Sequence, residues 1–151
     1  MDTTVKPEGC TSMKLRKLMR RVARHYDAEL AKAGLKVTQY SLLSCVFKLG
    51  PMRPVDISRV MGLEASTLTR NLKPLVAAGW LTLDAGPDGR SRSVVITPAG
   101  RVKRQEAQRR WRAAQEALNS QLGVERVVAM HSLVDEWMGL LAPVEAGESD
   151  G

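Results

Sequence analysis

Apolar residues recur at three- and four-residue steps along most of the chain, which is the period of an amphipathic helix. The first such stripe predicts a helix that starts near Ser12 and runs to about Ala33, where Gly34 ends it. This stripe consists of Leu15, Leu18, Met19, Val22, Tyr26 and Leu30. A second stripe predicts a helix that Thr38 caps and that continues through Leu49.

Two shorter helices are predicted next. Pro54 suits the first turn of the third helix, which Gly62 ends, and residues 64–66 open a fourth helix that stops before Gly79. Pro74 lies inside the fourth helix, where its missing N–H predicts a bend. Two helices of this length around a glycine-containing turn are typical of a helix-turn-helix.

Between Trp80 and Thr97 the apolar period changes from the helical value to two. The alternation, on both sides of turn residues at 85–89, predicts a two-stranded hairpin. Its loop carries Arg90 and Arg92. The predicted fold class is therefore mainly α with one small β-hairpin.

Two further helices are predicted after the hairpin. Thr97, followed by a proline, is a strong helix start, and this helix can run unbroken to Leu122. A last helix from about Val124 to Ala142 is apolar on nearly all sides. One small domain has too little surface left to cover such a helix, so contact with a second copy is the simplest explanation.

The 151 residues are 44% hydrophobic and 26% charged, which fits one globular domain. We place that domain at residues 12–142, between a flexible lead at 1–11 and a disordered acidic tail at 143–151. No apolar run is long enough to span a membrane, and the N-terminus lacks the layout of a signal peptide, so a cytoplasmic location is expected. The two cysteines lack metal-binding spacing, so no metal or other cofactor is predicted.

No arrangement typical of an enzyme is present. The two histidines, His25 and His131, are far apart in the sequence, the glycines do not form a GxGxxG loop, and Ser66 lacks a nucleophile-elbow motif. We therefore predict no catalytic residues and no enzymatic activity.

The net charge of +7 is unevenly distributed. Residues 1–112 hold 22 of the 23 basic groups and have a net charge of +13, whereas residues 113–151 have a net charge of −6. A basic body joined to an acidic end favours a polyanion-binding face, with a different role for the C-terminal part. The alternative is a solubilising surface, and charge alone does not separate the two.

Four sequence blocks, in this order, resemble the MarR family of bacterial transcription regulators. They are LKVTQYSLL at 35–43, STLTRNL at 66–72, DGRSR at 88–92 and TPAG at 97–100. The resemblance extends over about residues 12–142. It implies that the hairpin is the wing of a winged helix-turn-helix at about 36–97, and that the helices at about 12–33 and 98–142 form a dimerisation region.

The resemblance further implies a homodimer that binds double-stranded DNA. Two symmetric lobes would read a pseudo-palindromic operator in successive major grooves, and repression is the more common outcome for such regulators. The dimer interface would include Leu15, Leu118, Val127, Val134, Trp137 and Leu141.

The fourth predicted helix corresponds to the family's recognition helix. It would present the short hydroxyl side chains of Ser66, Thr67 and Thr69 to the DNA, and Arg70 is the candidate for a base-specific contact because its guanidinium can grip guanine. The alternative role for Ser66 or Thr67 is N-capping. Glu64-Ala65 stands where family members commonly have Asp-Arg, so one expected basic contact is missing.

Basic residues outside that helix are further candidates for DNA contact. Asp88 and Arg90 match the family's Asp-x-Arg pair, in which the arginine enters the minor groove and the aspartate supports the wing. Arg92, Lys73 and Arg53 are candidates for phosphate contacts, which add affinity without sequence preference. For these three, an ordinary solvated surface is an equally good interpretation.

Members of the MarR family often bind a phenolic or aromatic acid between the dimerisation helices and the DNA-binding lobe. Candidates for such an effector pocket are Arg16, His25, Tyr40 and Trp111, because an anionic aromatic ligand needs a cation, a ring and a hydrogen-bond donor. Packing roles for Tyr40 and Trp111, and surface roles for Arg16 and His25, are the alternatives.

Two other forms of regulation and binding stay open. Cys10 lies two residues before the position, Ser12, that corresponds to the reactive cysteine of the family's peroxide-sensing branch, so a thiol-switched repressor is the alternative to a ligand-responsive one. Cys45 fits a small core residue. An architectural protein that coats DNA without an effector would share the basic body and the dimer.

Overall fold

The computed structural model describes residues 5–85 and 92–143. The elements in chain order are α1 (Thr11–Leu30), a 3₁₀ turn (Ala31–Ala33), α2 (Val37–Leu49), α3 (Pro54–Met61), α4 (Ala65–Ala77), β1 (Leu81–Ala85), β2 (Arg92–Ile96), α5 (Pro98–Leu122) and α6 (Val124–Leu140). This order confirms the predicted mainly α fold with a β-hairpin. The predicted lead and tail include residues 1–4 and 144–151, which lie outside the described residues.

The chain divides into two compact units, Met1–Ala114 and Gln115–Gly151. The first unit has a continuous apolar core to which α2 and α4 contribute half of the large buried side chains. Fully buried members of this core are Leu30, Leu42, Leu43, Val46, Ile57, Leu75, Leu81 and Val94. The regular leucine spacing in the sequence is therefore the inward face of these helices.

The predicted cap of α2 is wrong. The helix begins at Val37, so Thr38 already lies inside its first turn. The Val37 N–H instead donates to Asp27 Oδ1 of α1 at 2.8 Å, and Gln39 Oε1 accepts from the Lys36 N–H at 2.9 Å. A carboxylate ten positions upstream thus satisfies an N–H that has no partner within the helix, and it ties the end of α1 to α2.

The hairpin strands β1 and β2 are antiparallel, with Leu81 opposite Ile96 and Leu83 opposite Val94. Met52 forms an isolated bridge to Val94, which links the start of the helix-turn-helix to the hairpin. The predicted loop residues Asp88 and Arg90 lie outside the described residues.

The start of α5 is packed tightly against the base of the hairpin. The Thr97 hydroxyl donates to the Gly79 carbonyl at 2.6 Å and accepts from the Gly100 N–H at 3.0 Å. Gly100 is buried, and a Cβ there would collide with the Trp80 carbonyl oxygen and lie 2.9 Å from Ile96 Cγ1. The glycine is therefore required by close approach of the backbone.

The second unit is built differently. Helix α6 contains no buried residue, and its apolar side chains remain open, with Trp137 44% exposed and Leu141 78% exposed. Val127 is partly buried. Leu118, predicted at a dimer interface, is only 8% exposed within a single chain. Among the predicted interface residues, those of α6 therefore offer more apolar surface than Leu118.

Candidate nucleic-acid interface

Helices α3 and α4 form the predicted helix-turn-helix. Gly62 ends α3 in the left-handed conformation at φ 66°, and the Leu63 N–H bonds back to the Ser58 carbonyl at 3.0 Å. Helix α4 then turns its buried leucines inward, at Leu68 and Leu72. Its opposite side is left to solvent, as a recognition helix requires.

The solvent side of α4 carries most of the residues predicted to contact DNA. Those exposed are Ser66, Thr69, Arg70 and Lys73, and Thr67 is partly buried. The N-capping role considered for Ser66 and Thr67 is wrong, because the helix begins at Ala65 with Glu64 as its N-cap residue and no side-chain cap.

The hydroxyl of Thr69 has a bond within its own helix, donating to the Ala65 carbonyl at 2.9 Å. Its oxygen can still accept a further hydrogen bond. Arg70 forms no ion pair within the part of the chain that the structure describes, so its guanidinium is available for an external acceptor.

Arg53 lies before α3 in a small charged cluster. Its Nε donates to Asp56 Oδ2 at 3.2 Å, and Arg59 Nη1 lies 3.7 Å from Asp56 Oδ1. The carboxylate thus holds two exposed guanidinium groups on the first helix of the helix-turn-helix. Asp56 and Arg59 were not among the residues predicted from the sequence, although their spacing of three residues is typical of a helical ion pair. Arg92, at the start of β2, is exposed.

A cavity of about 470 Å³ lies between α2, α3 and α5. Two of the predicted effector residues, Tyr40 and Trp111, line it and stack with ring centroids 6.2 Å apart. The full lining is Tyr40, Ser41, Ser44, Cys45, Lys48, Leu49, Val60, Met61, Arg104, Gln108 and Trp111. Tyr40 itself is buried and belongs to the core, so its packing role and its place at the cavity coexist.

Arg104, which was not among the residues predicted from the sequence, supplies a cation to this cavity. Its guanidinium carbon lies 4.3 Å from the centre of the Phe47 ring, and its Nε donates to Ser44 Oγ at 3.4 Å. Nη1 donates to Gln108 Oε1 at 3.4 Å. One signal was its spacing of seven residues before Trp111, which places both on one face of the long helix.

The other two effector candidates do not line this cavity. Arg16 lies at a depression of about 440 Å³ on α1, together with Cys10, Ser12, Met13, Lys17 and Arg20. His25 lies at another on the same helix, with Arg21, Arg24 and Ala28. The four residues that the sequence suggested are thus distributed over three places in the described chain.

The two cysteines have different surroundings. Cys10 is exposed immediately before α1, whereas Cys45 is partly buried on α2 with its Sγ 3.8 Å from Met52 Sδ. Burial raises the pKa of the Cys45 thiol. Among the described residues, no group of three or more metal-binding side chains comes together, and no helix is both long and apolar enough to cross a membrane.

Comparison with known proteins identifies this arrangement. Residues 35–90 match the model of the MarR family. This match covers 56 of the 151 residues, so it shows that this part of the chain is similar to the MarR family. An uncharacterized HTH-type transcriptional regulator of Bacillus subtilis, YwoH, is 34% identical over 87 residues, which are 58% of this chain and 64% of that protein. The chain therefore aligns with slightly less than two thirds of that relative.

Solved structures extend the likeness beyond the winged helix. The transcriptional regulator MosR of M. tuberculosis, crystallised in complex with DNA, is 29% identical with a TM-score of 0.70, covering 85% of this chain and 97% of its own. A probable transcriptional regulator from Pseudomonas aeruginosa is 23% identical with a TM-score of 0.77, covering 84% and 96%. MarR-family proteins are transcriptional regulators and not enzymes.

Proposed function

We propose that this protein is a MarR-family regulator: a cytoplasmic, homodimeric repressor that binds a pseudo-palindromic operator and is released by a small effector. The observation that carries the proposal is the division of α4 into two sides. Leu68, Leu72 and Leu75 are buried, while Arg70 and Lys73 are exposed. Asp56 of α3 holds two further exposed arginines, Arg53 just before that helix and Arg59 within it. The 29% identical MosR was crystallised in complex with DNA, which supports the same use of this surface.

Within this proposal Arg70 reads sequence. Its side chain is exposed and has no ion-pair partner in the described residues, so docking of α4 in the major groove requires no intrachain ion pair to break. A bidentate contact with guanine discriminates by roughly 1 to 3 kcal/mol. Ser66, Thr67 and Thr69 add shorter polar contacts on the same helix.

The remaining basic residues position the lobe. Arg53, Lys73 and Arg92 bind phosphates, which gives affinity and a steep dependence on salt. Arg90 enters the minor groove beside the site, with Asp88 supporting it; both lie outside the described residues.

The homodimer brings two such lobes to successive major grooves. Its interface is formed by apolar side chains that a single chain leaves at least partly open, at Leu15, Val127, Val134, Trp137 and Leu141, together with the buried Leu118. A contact of two-fold symmetry matches a palindromic site.

The effector binds the cavity between α2, α3 and α5. A cavity of about 470 Å³ with stacked Tyr40 and Trp111 and with the cations Lys48 and Arg104 suits an aromatic acid. Its lining includes Val60 and Met61 of the helix-turn-helix and residues of the long helix α5. A ligand bound there therefore changes the position of the helix-turn-helix relative to α5. Arg16 and His25 stay candidates for contacting the effector once the dimer has formed.

Selection of bound sites from random duplex DNA tests the proposal. A palindromic site should emerge and bind about a thousandfold or more tightly than a scrambled duplex. Arg70→Ala should weaken that site about tenfold or more and relax the preference for one base, whereas Arg112→Ala, an exposed arginine of α5, should change affinity by less than about threefold. Equal binding of both duplexes with the same salt slope would support an architectural protein instead.

Release of the selected duplex tests the effector. Salicylate, an aromatic acid, should release DNA at concentrations where the neutral analogue salicylamide does not, and Arg104→Gln should remove this difference. If hydrogen peroxide releases the DNA and Cys10→Ser abolishes that response, the thiol-switch alternative replaces the ligand-responsive one.

A further inference from the structure

Asp56 is the centre of a charged cluster at the start of the helix-turn-helix. Its Oδ2 accepts from Arg53 Nε at 3.2 Å, and its Oδ1 lies 3.7 Å from Arg59 Nη1. Both arginine side chains are exposed, and the carboxylate side chain itself is 34% exposed. One carboxylate thus holds two cations that reach solvent, and the three charges leave the cluster with a net charge of +1.

The backbone of α3 fixes where this cluster lies. Arg53 is the N-cap residue, and its carbonyl accepts from the N–H groups of Asp56 and Ile57 at 3.0 and 3.1 Å. Ile57 is wholly buried, whereas Arg53 and Arg59 are exposed, so the two cations belong to the solvent side of the helix. When a helix-turn-helix docks on DNA, its first helix crosses the sugar-phosphate backbone while the second enters the groove. The cluster therefore meets phosphates when α4 is docked.

A carboxylate in this position has two opposite effects on DNA binding. It repels phosphates, which lowers the affinity for any duplex regardless of sequence. It also holds two guanidinium groups in one geometry, which reduces the side-chain freedom that is lost when each makes a fixed phosphate contact.

These two effects differ between specific and non-specific complexes. The operator complex has one fixed register, whereas a protein on other DNA slides along the duplex and its phosphate contacts are mobile. Repulsion by the carboxylate therefore weakens both kinds of complex, while its orientation of the arginines benefits only the complex with the operator.

We infer that Asp56 is a positioning residue that increases sequence preference: it orients Arg53 and Arg59 for operator phosphates and weakens binding to all other DNA. The inference rests on the proposed function as an operator-binding regulator and goes beyond it by giving Asp56 and Arg59 a part in DNA binding. Specificity is a difference between two affinities, so a group that opposes the wrong complex raises it as well as one that favours the right complex.

The variant Asp56→Asn tests the inference, because the amide keeps the shape of the side chain and removes its charge. Its affinity for the scrambled duplex should be at least about fivefold higher than that of the wild type at about 0.1 M salt. The plot of log affinity against log salt should steepen by about 0.9, as for one additional phosphate contact. Affinity for the selected palindrome should change by less than about twofold, because the lost orientation offsets the lost repulsion.

The matched control is Glu29→Gln at the end of α1, outside the helix-turn-helix. Glu29 also lies between two cations, 3.0 Å from Lys32 Nζ and 3.9 Å from Arg110 Nη1, and its side chain is 27% exposed. This variant should bind both duplexes within about twofold of the wild type. Asp56→Glu, which keeps the charge, should bind the scrambled duplex as weakly as the wild type does.

A purely structural role for Asp56 predicts the opposite sign. Its carboxylate lies in the first turn of α3 and complements the helix dipole, so a weakened helix would bind both duplexes less tightly. That result overturns the inference, and so does an Asp56→Glu variant that binds the scrambled duplex as tightly as Asp56→Asn.

The same titrations separate this inference from the proposed function. A wild type that binds the palindrome and the scrambled duplex alike contradicts the proposed function itself. A wild type that discriminates between them, together with an Asp56→Asn variant that discriminates equally well, overturns the inference alone.

Discussion

The winged-helix part and the last helix have similarly apolar sequences and opposite burial. In α2 and α4, leucines such as Leu42, Leu43 and Leu75 are wholly buried. In α6 the comparable residues Leu133 and Leu140 are 53% and 76% exposed. An apolar stripe therefore shows that a helix will be covered, but it does not show whether its own chain or a second copy provides the cover.

The first prediction compares one leucine from each region. Leu75→Ala should lower the free energy of unfolding by about 2 to 5 kcal/mol, because it removes buried methyl groups and leaves a cavity. Leu140→Ala, the same truncation at an exposed site in α6, should cost less than about 1 kcal/mol. Urea unfolding followed by circular dichroism, at one low protein concentration, measures both.

Equal losses at the two leucines would contradict the contrast, because they would mean that α6 is packed in a closed core of its own chain. The contrast would be strengthened if Leu140→Ala raised the dimer dissociation constant while leaving the free energy of unfolding nearly unchanged. Apolar surface in α6 then contributes to association instead of to the folding of one chain.

The second prediction uses two glycines. Gly100→Ala should cost about 3 kcal/mol, because the new Cβ meets the Trp80 carbonyl oxygen, a backbone atom that cannot rotate away. Gly139→Ala should be neutral or stabilising by up to about 1 kcal/mol, since nothing lies within 4 Å and alanine favours a helix. Thermal unfolding of both variants measures these changes. A Gly100→Ala variant that is more stable than the wild type would contradict the tight packing of α5 against the base of the hairpin.

The third prediction concerns two threonines that the sequence marked as helix starts. Thr97→Ala should cost about 1 kcal/mol, because it removes the bonds to the Gly79 carbonyl and from the Gly100 N–H. Thr38→Ala should change stability by less than about 0.5 kcal/mol, because α2 begins before it and Asp27 satisfies the helix. Similar losses at the two sites, measured by urea unfolding, would exclude this assignment of the caps.

These two threonines show what local sequence can predict. The start of α5 at Thr97 depends on the next few residues, so propensity and capping rules were sufficient. The start of α2 depends on Asp27, which reaches it only because α1 and the turn at Gly34 bring it back. The bounds of most helices were predicted within a few residues, while a cap supplied from another element was not.

Part of the candidate site could likewise be predicted from local sequence, and part of it could not. Exposure of Arg70 and Lys73 follows from the leucine spacing of α4 alone, and the structure has both on its solvent side. The cavity does not follow from any local pattern, because α2 and α5 meet there across sixty positions, as in the bond from Arg104 to Ser44. Chemistry alone suggested Arg16 and His25, which lie on α1 away from this cavity.

The fourth prediction, with the smallest expected effect, compares the reactivity of the two thiols. Cys10 is exposed before α1, while Cys45 is packed beside Met52, and burial raises its pKa. The thiolate attacks the CH2 carbon of iodoacetamide and displaces iodide, so Cys45 in the Cys10→Ser variant should react at least about tenfold more slowly at pH 8 than Cys10 in the Cys45→Ser variant.

The raised pKa of Cys45 also predicts how its labelling and its contribution to stability change with pH. A raised pKa keeps Cys45 protonated in the folded chain, so its contribution to stability is present at neutral pH and is lost as the pH rises through that pKa. Labelling of Cys45 should therefore accelerate between pH 8 and 9.5, and the labelling rates of the two cysteines should converge in urea. Equal rates in the folded protein would mean that α2 opens as readily as the exposed start of α1.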